Sequence, residues 1–338
     1  MGLKRIDKSR LGSFLSDLMK ERDVIAPVRR GDVVRFRPIE SADEAVFDEW
    51  NTRVPLKEVF FPQTECLYTY GSDPGRIDIK PPPPPRERVV VGVRPCDARS
   101  IAILDHVFAS GDRQDNYYVD KRNRTTLVGM ACLHPLDTCF CGAVGGSPFG
   151  EEGLDALLID TGASYVAGAL TEKGEKLLGG WEDATAEDES AVAQAREAAE
   201  KAVEGRAVPD GVKAVLDECF EDPVWERIHE RCLGCGTCSY LCPTCHCFDM
   251  TDEPTAAGGR RMRVWDTCMF PLFTRHASGA NPRPSGKERM RQRVMHKFRY
   301  FLDNYDVTAC VGCGRCVIHC PVNLDIREVL QQIEKLRK

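Results

Sequence analysis

Cys232-Leu-Gly-Cys235-Gly-Thr-Cys238-Ser-Tyr-Leu-Cys242-Pro243 and Cys310-Val-Gly-Cys313-Gly-Arg-Cys316-Val-Ile-His-Cys320-Pro321 share one spacing, C-x2-C-x2-C-x3-C-P. The spacing has a geometric basis. Three thiolates at this interval wrap one corner of a cubane, and the glycines between them let the backbone approach it closely. The fourth cysteine opens the next helix and points away; in two-cluster ferredoxins it ligates the other cluster. Two [4Fe–4S] clusters are therefore expected, the first on Cys232, Cys235, Cys238 and Cys320, the second on Cys310, Cys313, Cys316 and Cys242. A pair of four-thiolate zinc sites is the alternative, and a run ending in Cys-Pro, present twice, favours iron and sulfide.

Residues 243–309, between the runs, make a far longer insertion than a compact ferredoxin of β-hairpin type carries. Long helical insertions of this kind resemble the α-helical ferredoxin domains of respiratory and heterodisulfide-reductase-type subunits. The insertion is basic: Arg260, Arg261, Arg263, Arg275, Arg283, Lys287, Arg289, Arg291, Arg293, Lys297 and Arg299 are relieved only by Asp266 and Glu288. A solvated helix face accounts for part of this run, and the rest would offset cluster charge or face an acidic partner. Arg315, inside the second run, could raise the potential of its cluster, or could be a surface residue. The same choice stands for His319, which abuts Cys320.

Nine of the seventeen cysteines lie outside the runs. Cys96 follows a predicted strand, and Cys132, Cys139 and Cys141 follow another. These four are read as a third [4Fe–4S] site, the alternative being buried free thiols, since cysteine packs readily as a small hydrophobe. Cys245, Cys247 and Cys268 are candidate additional ligands with no role decided by spacing, and Cys66 and Cys219 read as structural.

The remainder is an ordinary globular sequence of 338 residues, 42% hydrophobic and 29% charged, with net charge −6, which argues against general nucleic-acid binding. No stretch approaches the roughly 18 apolar residues of a membrane helix. The opening segment, charged throughout, lacks the apolar core of a secretory signal. A cytoplasmic setting is expected, in which cysteines serve metal or redox chemistry and not disulfides. Leu11, Phe14, Leu15 and Leu18 predict a helix over 8–20; Val24–Val28, Val33–Phe36, Val89–Val93, Thr125–Met130 and Ala156–Asp160 read as strands; Arg99–Phe108 reads as a helix. Pro81 to Pro85 must be extended. Residues 182–204 read as a solvated acidic helix, 223–231 and Glu328–Arg337 as helices of the second half. The fold class is α+β: a mixed α/β domain over 1–215, then an α-helical ferredoxin-type dicluster domain over 216–338.

Lys57-Glu-Val-Phe-Phe-Pro-Gln-Thr-Glu65, Val91-Gly-Val-Arg-Pro-Cys-Asp97, Cys139-Phe-Cys-Gly142 leading to Ser147-Pro-Phe-Gly150, Cys245-His-Cys-Phe-Asp249 and the second run span most of the chain. Together they resemble the iron–sulfur β subunits of cytosolic sulfhydrogenases, NAD(P)-linked [NiFe] hydrogenases, a family that includes the A subunit of anaerobic sulfite reductase and subunits of flavin oxidoreductase–heterodisulfide reductase complexes. The resemblance implies a non-catalytic subunit that passes electrons between a flavin subunit handling NAD(P)H and a catalytic or second redox subunit. Neither a P-loop nor a dinucleotide fingerprint is present, and Gly312-Cys-Gly314 belongs to a cluster run. Two other readings stand: a reductase with its own N-terminal site, where Asp97 and His134 would move protons, and a zinc-stabilised interaction protein.

Overall fold

The computed structural model describes residues 2–48, 51–73, 76–206 and 208–337. Its first half is built on an eight-stranded sheet. The strands are β1 (Lys4–Asp7), β2 (Asp23–Arg30), β3 (Val33–Pro38), β6 (Arg88–Val93), β7 (Thr125–Met130), β8 (Ala156–Asp160), β9 (Ser164–Ala169) and β10 (Glu182–Asp183). They lie in the order β10-β1-β9-β8-β7-β6-β2-β3, with β2, β6, β7 and β8 parallel and the flanking pairs antiparallel. Both faces of the parallel core are covered, as near-continuous apolar strands require. Val89 and Val91 face the helix Lys8–Glu21 through Leu11 and Leu15. Val90 and Val93 face the helix Pro95–Phe108 through Ala98, Ile101 and Leu104. That helix begins four residues before the predicted start, because Pro95 is compatible with the first turn.

The acidic stretch 182–204 differs from its expectation. Glu182 and Asp183 form an edge strand against β1, and the helix is Ala186–Val203. Thr185 and Asp188 close its N-terminus as a capping box, and Val192 and Ala199 are buried in the sheet core, so only one face is solvated.

The insertion between the cysteine runs is not helical at its start. β11 (Phe248–Thr255) and β12 (Gly258–Trp265) form a hairpin, which joins β4 (Thr64–Asp73) and β5 (Arg76–Lys80) in a four-stranded antiparallel sheet, β11-β12-β4-β5. Charge dominates this stretch and masks its two-residue strand period. Arg260 and Arg261 point to solvent and pair with Glu253 and Asp252 on β11. Arg263 is turned inward, 4% exposed, against Glu65 of β4 and Asp115. The remainder of the second half is helical. Val224–Glu230, Gly286–Met295 and Ile326–Glu334 pack Trp225, Met290, Val294, Leu330 and Ile333 into a second core. Among the described residues no helix is long and apolar enough to cross a membrane.

Candidate metal centres

Cys232, Cys235, Cys238 and Cys320 line one cavity, together with Met269, Met290 and Leu324. Cys242, Cys310, Cys313 and Cys316 line another, together with Phe140, Val311 and Ile326. Each cavity thus brings together three cysteines from one run and the fourth from the other. The loops are shaped by glycines with positive φ, Gly234 and Gly236 in the first, Gly312 and Gly314 in the second. Backbone amides face the sulfurs: Gly234 N–H donates to Cys232 Sγ at 3.3 Å and Leu324 N–H to Cys320 Sγ at 3.2 Å. Among the described residues no three Cys, His, Asp or Glu side chains converge as one metal ion would require.

The two sites differ in exposure. Cys235 is exposed, and hydrogen bonds from Thr237 hold its thiol below the usual range. Cys242 and Cys313 are buried, and burial pushes the Cys310 thiol up to about 11. Lys297, 5% exposed, donates to Cys242 Sγ at 3.0 Å, to Thr244 Oγ1 at 3.1 Å and to the Ala309 carbonyl at 3.0 Å. Burial opposes its charge, but the thiols of Cys242, Cys245 and Cys310 outweigh it and keep the ammonium protonated.

The four N-terminal cysteines gather at the ends of β6 and β7 and against the second run. Cys96 and Cys141 line one cavity with Arg99 and Val311. Cys139 Sγ lies 3.9 Å from the Cys313 carbonyl, and Phe140 N–H donates to the Gly312 carbonyl at 2.8 Å. Burial, then the neighbouring Cys132, pushes the Cys139 thiol up to about 12. Cys132 is also the principal thiol acting on Cys141 and a minor one on Cys96.

Arg315 joins these two regions and is not a surface residue. Fully buried, it binds both Asp97 carboxylate oxygens, at 2.8 and 2.6 Å, the Thr52 carbonyl at 2.8 Å and the Asn51 side chain. Asn51 in turn donates to Cys96 Sγ at 3.5 Å. Asp97 is therefore an anchor and has no route to solvent as a proton relay, whereas His134 is exposed. His319 is half-buried beside Arg53 and Arg315.

Cys245, Cys247 and Cys268 do not meet at one point. Cys245 hydrogen bonds with Cys242, and Cys247 with Cys268, which draws Cys247 down to about 7. Beneath them lies Lys57, whose ammonium donates to the Cys245 carbonyl at 2.7 Å and sits 4.1 Å from the Trp265 ring centre. Arg293 and Lys297 are the members of the basic insertion that line the cavities, Arg315 is held by Asp97, and Lys57, in Lys57–Glu65, is the site residue that sequence reasoning missed. Cys219 is buried and Cys66 lies on β4, neither near a cavity described above.

The family of 4Fe-4S dicluster domains matches residues 231–324. The β subunit of sulfhydrogenase 2 from Pyrococcus furiosus is 31% identical over 333 residues, 95% of each chain. No solved structure matches.

Proposed function

Since the chain belongs to the sulfhydrogenase β-subunit family, we propose that it is the electron-transfer subunit of a multi-subunit oxidoreductase of hydrogenase type, with no substrate site of its own. The pairing of three cysteines from one run with the fourth from the other, in two adjoining cavities, carries this reading. When bound, the [4Fe–4S] clusters supply one-electron storage at potentials the protein tunes. The polypeptide supplies position. Cys232, Cys235, Cys238 and Cys320 hold the outer cluster beside the exposed Cys235, and Cys242, Cys310, Cys313 and Cys316 hold the inner one. Cys96, Cys132, Cys139 and Cys141 hold a third behind it, against the 310–316 loop.

Residues 1–215 and 216–338 then act as two domains that share the sheet of β4, β5, β11 and β12, in a cytoplasmic setting that keeps the thiols reduced. Its partners are a flavin subunit that handles NAD(P)H and a catalytic or second redox subunit. Cys245 stands beside Cys242 as a reserve ligand, and Cys247 with Cys268 supports the outer site.

Iron and sulfide analysis with EPR of the dithionite-reduced chain tests this assignment. At four irons per cluster, about twelve per chain supports all three sites, about eight removes the third, and none removes the reading. Cys139→Ser should delete one EPR component without touching the other two. The purified chain should not reduce a viologen dye from NAD(P)H alone; substantial turnover would assign it an active site.

A further inference from the structure

The helix Gly286–Met295 runs between the two ferredoxin cavities and continues as a π-helical turn, His296–Tyr300. Such turns are rare and concentrate at functional sites. Arg293 and Lys297 stand four residues apart on it, hence on neighbouring parts of one face. Lys297 reaches only the inner cavity, where it contacts Cys242 Sγ at 3.0 Å. Arg293 lines both cavities. It is 5% exposed, its Nε is buried without a hydrogen-bond partner, and no carboxylate pairs with it among the described residues. The anionic groups acting on it come from both cavities, Cys238 on one side and Cys316 and Cys242 on the other.

A buried guanidinium with no carboxylate is costly unless something anionic faces it. Here the anions are the two cluster sites. We propose that Arg293 is the shared counter-charge of both clusters and Lys297 that of the inner cluster alone, so that together they place the inner cluster at the higher potential. The inference rests on the dicluster reading above. Each cluster gains one negative charge on reduction, so a fixed cation nearby stabilises the reduced form and raises the potential. Lys297 adds this effect on one side only. Both are positioning residues, acting through the field and through the Cys242 sulfur and not by ligation.

The test is a redox titration of the full-length, iron-loaded chain followed by EPR, with iron content measured for every variant. Arg293→Gln should lower the reduced-to-oxidised ratio of both ferredoxin components about tenfold at the parent midpoints, which for one electron is about 59 mV. Lys297→Met should lower it for one component, the one that Cys242→Ser abolishes. Arg293→Lys keeps the charge and should hold both ratios within about threefold, or about 30 mV. Full iron with unmoved midpoints in Arg293→Gln overturns the proposal, as does a Lys297→Met shift shared equally by both components. Should Arg293→Gln fail to load iron, Lys297→Met alone decides by the same criterion. A parent chain without two clusters would instead remove the reading beneath.

Discussion

Replacing Asp97 probes how firmly the second ferredoxin loop is fastened to the α/β half. Asp97 and Arg315 are both 0% exposed and meet through two hydrogen bonds of 2.8 and 2.6 Å. Removing one partner of such a pair leaves an uncompensated buried charge and destabilises by about 3–5 kcal/mol. Asp97→Asn keeps the shape and one acceptor, so it belongs at the lower end. Arg315→Met also strands the Thr52 carbonyl and Asn51, so it belongs at the upper end. An unfolding entropy of about 2.1 cal/mol/K per residue gives about 0.7 kcal/mol/K for the 338 residues, and hence melting temperatures lower by about 4 °C and 7 °C. Anaerobic far-UV circular dichroism melts of the iron-loaded chain read this out. The double variant should lose clearly less than the sum of the two, since residues in direct contact do not act independently. An Asp97→Asn melt within about 1 °C of the parent, or strictly additive losses, would refute the account of a buried clasp.

Gly312 has φ +63°, and a Cβ there would lie 2.5 Å from the Cys141 nitrogen and the Phe140 carbonyl carbon. Gly312→Ala should therefore push the 310–316 loop off Cys139–Cys141, lowering iron content and broadening the EPR of the inner cluster, whereas Gly279→Ala, at φ +85° in open space, should leave both intact. Ferricyanide should destroy the cluster beside the exposed Cys235 first, so the EPR component absent from Cys235→Ser should disappear from the parent before the one absent from Cys242→Ser. Burial, with His246 and Lys297 adding to it, depresses His296 to about 4 from its ordinary 6.5. The unfolded chain then binds the extra proton between those values, so stability is whole above pH 6.5 and declines by up to about 3 kcal/mol as pH falls to 4. His296→Asn should flatten that part of a pH-dependent melting curve; an unchanged acid limb would contradict the assignment.

What could be read in the sequence was whatever has a short period. Each cysteine run repeats its spacing within twelve residues, and the parallel strands β6, β7 and β8 are brief apolar runs bounded by breaks, so both patterns emerge without knowledge of the fold. The hairpin of β11 and β12 has no such signature. Its outward residues on β12 are arginines whose partners lie on β11, and its inward Arg263 is accepted only because Glu65 and Asp115 face it. A charged strand stabilised by cross-strand pairing looks like a solvated helix until its partner is known.

The same reasoning explains why the sequence does not say which cations of the basic insertion face the cavities, and why those that do matter. Exposed and buried arginines are indistinguishable in a run such as Arg289 to Arg299; the structure sends Arg293 and Lys297 inward, away from every carboxylate among the described residues. Each N-terminal segment that carried the family resemblance ends on the ferredoxin half. Lys57 meets the Cys245 carbonyl, Asp97 meets Arg315, and Phe140, between Cys139 and Cys141, meets Gly312. A free-standing ferredoxin would need none of these contacts. A carrier that must hold anionic centres in place against the second half is served by them, because a buried anionic group requires opposing charge and a wall that does not move. The α/β half is thus part of the electron path's scaffold, and loss of any one clasp should be felt at the 310–316 loop before it is felt in the distant sheet.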